Sequence, residues 1–116
     1  MTVVAERLDH IRGLKPGWLD GKGYVPEVND LDWLKEQFDL YYPIDLEPPY
    51  LYPTPEGGVL IEWPSGKEDI SLEMEFVDHT GFWHQLNMKT GIHNSRELNL
   101  DDQEDWRWLI NKIKSN

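Results

Sequence analysis

VLIEWPSGKEDISLEMEFVDHTGFWHQLNMKTGIHNSRELNL, residues 59–100, alternates apolar and polar side chains over most of its length and is broken by short polar turns. A period of two is the signature of half-buried strands. Val59, Ile61 and Trp63 share one face of the first segment, and Ile70, Leu72, Met74 and Phe76 share the same face of the next. Glu62, Glu73 and Glu75 point the other way. The turn at Pro64, Ser65 and Gly66 joins the two, so the stretch predicts an antiparallel β-meander of about four strands between Val59 and Leu100.

The register of the two hairpins follows from keeping apolar faces together. A three-residue loop at 79–81 with Gly81 in the left-handed conformation sets Phe76 opposite His84 and Met74 opposite Leu86. A four-residue loop breaks that match. The same device at Lys89, Thr90 and Gly91 sets Met88 opposite Ile92 and brings Leu98 to the core face. This register lines up Glu62, Glu73, Glu75, Trp83, Gln85, Asn87, His93 and Glu97 on the outer face. His84 becomes a core-edge histidine.

Outward from the meander the period changes to that of helices. Val4, Leu8 and Ile11 predict a helix over residues 2–12, ended by Gly13. Leu31, Leu34, Phe38 and Tyr41 or Tyr42 predict a second over 30–42, with Asn29 or Asp30 as N-cap and Pro43 as its stop. Trp106, Leu109, Ile110 and Ile113 predict a third over 102–114, with Asp101 and Glu104 as a capping box and Lys112 and Lys114 suited to its C-terminal dipole. Trp108 lies off that stripe. Residues 14–28, rich in Gly and Pro, form an irregular loop pinned by Trp18, Leu19 and Tyr24. Residues 44–55 carry Pro48, Pro49, Pro53 and Pro55 and run extended, unsuited to a central strand, with Tyr50 and Tyr52 on one side. The fold class is α+β: one domain over residues 1–116, with terminal helices packed on the meander.

Length and composition agree with one core. Two cores within 116 residues would each bury too little surface, and six Trp, five Tyr and three Phe are too many aromatics for a disordered chain. Cysteine is absent, so disulfides and thiolate metal sites are excluded, which suits a reducing compartment. The N-terminus has no apolar run of signal-peptide length, and no stretch approaches the roughly 20 apolar residues of a membrane span. The cytoplasm is the expected location. A net charge of -11 and a pI near 4.6 argue against direct contact with nucleic acid or anionic membrane and favour a basic protein partner.

Catalytic and metal signatures are weak. Gly17-Trp18-Leu19-Asp20-Gly21-Lys22-Gly23 has the wrong spacing for a phosphate loop, Gly23 where Ser or Thr should stand, and no preceding strand. A structural loop anchored by Trp18 accounts for it. Asp20 lacks the alternating oxygen ligands of a calcium loop, and His10, His79, His84 and His93 show no paired zinc spacing. No metal or other cofactor is predicted. Glu73 and Glu75 are explained by strand alternation without acid–base chemistry, and no Ser, His and Asp arrangement is visible. The outer face, with Trp83 and Gln85 among Glu62, Glu73 and Glu75, has the mixture of aromatic anchor and charge found at binding surfaces. Trp83 would lose that role if a terminal helix or the Tyr50–Pro55 segment covered it.

The segments Gly17 to Gly23, Pro26 before a helix, and Pro53-Thr54-Pro55-Glu56-Gly57-Gly58-Val59 leading to Glu62-Trp63 together resemble an uncharacterised family of small bacterial proteins. That family pairs a W-D-G-x-G loop and a helix with a P-T-P-x-G-G stretch entering a strand that ends in Glu-Trp, followed by hairpins. The resemblance covers roughly residues 12–88. Leu19 intervenes here between Trp18 and Asp20, and the C-terminal portion is longer. The family has no established activity, so the resemblance transfers no functional residues. By analogy of size and charge alone, small acidic proteins often act as antitoxins, immunity factors or inhibitors. The sequence therefore predicts a non-catalytic protein that binds and neutralises a basic partner through Glu62, Glu73, Glu75, Trp83 and Gln85. The alternatives are a small enzyme using Trp18, Asp20 and Lys22, and a ligand-binding module with a pocket of Tyr50, Tyr52 and Trp63.

Overall fold

The computed structural model describes residues 2–116. Alternation yields strands throughout the decisive stretch: β2 (Val59–Trp63), β3 (Asp69–Glu75), β4 (Thr80–Leu86) and β5 (His93–Asn99). A fifth strand, β1 (Tyr50–Pro53), precedes them, and the sheet order is β1-β2-β3-β4-β5 with every pair antiparallel. The strand count is thus five and not four. β1 forms because Leu51 is an apolar residue that pairs with Ile61 and is buried. Its one proline, Pro53, is tolerated because β1 lies at the sheet edge, where a missing N–H leaves no ladder bond unmade.

The β3–β4 hairpin departs from the predicted register. Its last pair is Glu75 with Thr80, so residues 76–79 form a four-residue connection and Leu72, not Met74, leads to the large inward side chain, which is Trp83. His79, not Gly81, takes the left-handed conformation, at φ 55°. Local bonds hold it there: the Thr80 N–H donates to Asp78 Oδ1 at 3.2 Å, and the His79 carbonyl accepts the Leu100 N–H at 2.9 Å. Met74 faces Gly81 and not Leu86, a displacement of five residues, and an odd displacement turns every side chain of β4 over. The observed register buries the Trp83 indole and turns His84 and Leu86 outward, and an aromatic ring of that size removes more apolar surface from water than the imidazole would. At the β4–β5 turn Gly91 is left-handed as predicted, at φ 73°, but Asn87 rather than Met88 stands opposite Ile92. Leu98 reaches the core face, opposite Gly81.

Three helices cover the inner face of this sheet. α1 (Val3–Arg12) buries Val4, Leu8 and Ile11, and α2 (Val28–Tyr41) buries Leu31, Leu34 and Phe38. α3 (Gln103–Lys114) buries Trp106, Leu109 and Ile110. These side chains join Ile61, Trp63, Ile70, Leu72 and Met74 in one hydrophobic core. Phe76 is buried too, but beyond the end of β3, edge-on to Trp33.

Two helix starts differ from the sequence reading. α2 begins at Val28 after Glu27, with no side-chain cap, in place of a cap at Asn29 or Asp30. α3 is capped by Asp102, whose carboxylate accepts the Glu104 N–H at 2.9 Å. Asp101 is free of that duty and meets His79 Nδ1 at 2.8 Å. At the other end of α3, Asn116 exchanges two hydrogen bonds with the Glu68 backbone and ties the chain end to the β2–β3 turn.

Candidate functional site: the open face of the sheet

Because all three helices pack on one side, the opposite face of the sheet is left uncovered. Direct cross-strand partners share a face, so the register writes out its rows. One runs Tyr52, Leu60, Glu73, Phe82 and Glu97. The next runs Tyr50, Glu62, Ser71, His84 and Ser95. Tyr50 and Tyr52 are 45% and 46% exposed, which is high for large rings on a sheet. Aromatic and aliphatic side chains thus share the surface with carboxylates. Arg7 of α1 reaches around the β1 edge to lie over the Tyr50 ring at 4.3 Å and to donate to the Pro49 carbonyl. His84 and His93 stack, with Nδ1 of the first 3.0 Å from Nε2 of the second.

Of the residues expected on this face, Glu62, Glu73 and Glu75 are there. Trp83 and Gln85 are not. The slip in β4 places both on the inner face, where Trp83 is 4% exposed and packs edge-to-face against Trp108 of α3, and where Gln85 donates to Glu68 at 3.1 Å. Trp108 lies off the apolar stripe of its helix because it reaches sideways to cover Trp83. The outward aromatic of β4 is Phe82 instead. The proposed pocket of Tyr50, Tyr52 and Trp63 does not form either: Trp63 is buried on the inner face with its indole N–H donating to the Tyr42 hydroxyl at 3.0 Å, across the sheet from the two tyrosines.

The Trp18–Tyr24 loop is a miniature hairpin. Leu19 and Lys22 exchange backbone hydrogen bonds at 2.8 and 2.9 Å around Asp20 and Gly21, both at positive φ. An Asp-Gly pair suits such a type I′ turn. Trp18 donates its indole N–H to the Tyr24 carbonyl at 2.9 Å and lies so close to Gly23 that an added Cβ would stand 2.9 Å from Nε1. Backbone geometry therefore accounts for Asp20, while Lys22 and Asp20 point to solvent.

Clefts open near the end of β3 and between two helices. One, of about 410 Å³, lies where the β1–β2 turn meets the end of β3 and is lined by Asp30, Glu56, Glu73 and Glu75 with Met74, Phe76 and Val77. Burial pushes the Asp30 carboxyl above its ordinary value; His79 opposes that shift and Glu27 adds to it. The cleft adjoins the open face through Glu73 and extends its acidity. The other, of about 450 Å³, is apolar and lies between the start of α1 and the end of α2, with Phe38, Tyr42 and the fully exposed Ile44 at its rim. Neither includes Trp18, Asp20 or Lys22. Among the described residues no three His, Asp or Glu side chains converge as a metal site, and no helix is long and apolar enough to cross a membrane.

Comparison with protein-family models, curated proteins and solved structures finds no match. Function has to be read from this chain's own surface.

Proposed function

We propose that this protein is a non-catalytic, acidic interaction protein of antitoxin, immunity or inhibitor type that binds a basic protein partner through the open face of its sheet. The observation that supports this most is the uncovered row of Tyr52, Leu60, Glu73, Phe82 and Glu97, in which Phe82 stands between two carboxylates and Tyr52 and Leu60 adjoin them. Interfaces gain most of their affinity from desolvated aromatics, while charged neighbours steer the encounter and exclude wrong partners. A net charge of -11 gives that steering one sign, and it disfavours nucleic acid and anionic lipid. The aromatic anchors of this reading are Tyr52 and Phe82, which take the role the sequence assigned to Trp83. A cytoplasmic location belongs to the same reading, since a chain without cysteine gains nothing from an oxidising compartment.

Affinity capture from the source organism with the wild-type protein and a Tyr52→Ala, Phe82→Ala variant as parallel baits tests it. A basic protein retained by the first and lost by the second is expected. Retention of the same partners by both baits overturns the assignment to this face.

A further inference from the structure

The two edges of the sheet are built differently. β1 has Pro49 before it and Pro53 at its end, and α1 packs along it, with Arg7 holding the Pro49 carbonyl. β5 has no proline and no bulge, spans seven residues, and is exposed at every position but Leu98. Its hydrogen-bonding direction follows from its ends. Asn87 donates to Ile92 and Leu100 donates to His79, so the even-numbered residues between them bond to β4. His93, Ser95, Glu97 and Asn99 then turn their N–H and C=O groups away from the sheet. Asn99 fits this: its N–H donates to Asp105 at 2.7 Å. The groups of His93, Ser95 and Glu97 are left facing solvent.

We propose that two copies of this chain pair through β5, antiparallel and with a two-fold axis at Ser95, to make one continuous sheet. That register alone engages the free groups of all three residues in both strands. It sets Ser95 opposite Ser95, His93 opposite Glu97 on the outer face, and Asn94 opposite Arg96 on the inner face. Other registers fail. Centring on Arg96 opposes two guanidiniums, centring on Glu97 opposes two carboxylates, and centring on Asn94 shifts Glu97 onto Gly91 in the turn. Like charges directly opposite are destabilising.

Charge distribution favours the same contact. From residue 84 onward five Lys and Arg balance five Asp and Glu, so the whole net charge of -11 belongs to residues 1–83. The free edge lies on the electroneutral part of the molecule, and two copies meeting there keep their acidic parts apart. The pairing is independent of the acidic-face reading. Edge pairing over one short strand buries less than a standard interface, so the dimer belongs in the micromolar range of Kd.

Sedimentation equilibrium from about 1 μM to about 1 mM, a span chosen to bracket that affinity, tests the proposal. Ser95→Pro deletes the N–H at the two-fold axis, which takes no part in pairing with β4, and proline is accepted at such edge positions. Ser95→Lys sets two ammonium groups against each other. We expect a monomer–dimer equilibrium for the wild type, and a dimer Kd raised at least about tenfold in both variants with their thermal midpoints unchanged. A wild type that stays monomeric over the whole range, or a dimer weakened less than that by Ser95→Lys, overturns it. If Ser95→Pro lowers the thermal midpoint, Ser95→Lys alone decides.

Discussion

Trp83 and Trp108 meet edge-to-face, ring centroids 4.9 Å apart and planes at 83°, and so join β4 to α3. Arg96 lies over Trp108 at 4.4 Å, and Lys112 stands 5.3 Å from Trp108 and 5.8 Å from Trp83. The indole N–H of Trp83 is buried with no acceptor among the described residues, which costs stability that the packing must exceed. Trp83→Ala should therefore cost about 3–5 kcal/mol in urea unfolding. Trp83→Phe should cost clearly less, because it keeps much of the ring and removes the unpaired donor. A double-mutant cycle with Trp108→Ala should give a coupling of about 0.5–1.5 kcal/mol. An additive cycle would show that the two rings do not support each other.

Gly81 and Gly58 are places where no Cβ fits. A Cβ at Gly81 would stand 2.8 and 2.9 Å from methyls of Leu72 and Leu100, and one at Gly58 would stand 2.5 Å from the Met74 carbonyl oxygen. Side-chain methyls can shift and a ladder carbonyl cannot. Gly81→Ala should cost about 1–3 kcal/mol, typical of overpacking, and Gly58→Ala more than Gly81→Ala. Chemical denaturation of the two variants side by side checks the order.

The cap of α3 separates two adjacent aspartates. Asp102→Ala should lose about 1 kcal/mol, since its carboxylate holds the Glu104 N–H. Asp101→Ala should lose less, because an exposed contact with His79 contributes little. Equal losses in thermal unfolding would contradict the assignment of the cap.

Burial pushes the Tyr42 phenol up to about 12; the bond from Trp63 opposes that shift and Glu47 adds to it. The unfolded phenol ionises near its ordinary value of about 10. A raised folded-state value means that the unfolded chain releases the proton first, so this stabilising contribution is whole below pH 10 and is lost as pH rises through 12. The urea midpoint of the wild type should fall over that window more steeply than that of Tyr42→Phe. Parallel profiles would remove Tyr42 from the account.

Binding kinetics should divide the open face by chemistry. Against a basic partner of the proposed kind, Glu62→Gln and Glu73→Gln should slow association and flatten its salt dependence. Tyr52→Ala should speed dissociation by roughly tenfold or more, as expected of an anchor worth about 2 kcal/mol. Surface plasmon resonance at several ionic strengths separates the two, and an affinity indifferent to salt and to all three substitutions would sink the acidic-face reading.

Much of this architecture was legible because periodicity is a strong signal. The buried seams Val4-Leu8-Ile11, Leu31-Leu34-Phe38 and Trp106-Leu109 stand where their spacing put them, and so do Ile61, Leu72 and Met74. Register was harder. It turned on whether His79 or Gly81 would occupy the left-handed position, and the bonds that Thr80 donates to Asp78 and Leu100 donates to His79, the second between residues distant in sequence, decide that. One misplaced turn moved Trp83 and Gln85 across the sheet and hid Phe82 from view as an anchor. β1 escaped notice because proline argues against a strand unless the strand lies at an edge, and edges are a property of the assembled sheet. The pairing of Tyr50 and Tyr52 on one side was visible in their spacing, but which side was not.

The blocked edge at β1 also limits what this sheet can become. A strand can be added only where backbone groups are free, and a sheet open at both edges can template its own growth without end, toward fibres. Here α1 and the prolines close one side, so any addition at β5 completes the structure rather than exposing a fresh edge. The chain combines exposed tyrosines with a regular free strand, a hazardous mixture in a two-edged sheet, and the closed β1 edge removes the second site of growth. Loosening α1 from β1, as Arg7→Ala would, should therefore show itself first as slow aggregation at high concentration rather than as loss of fold.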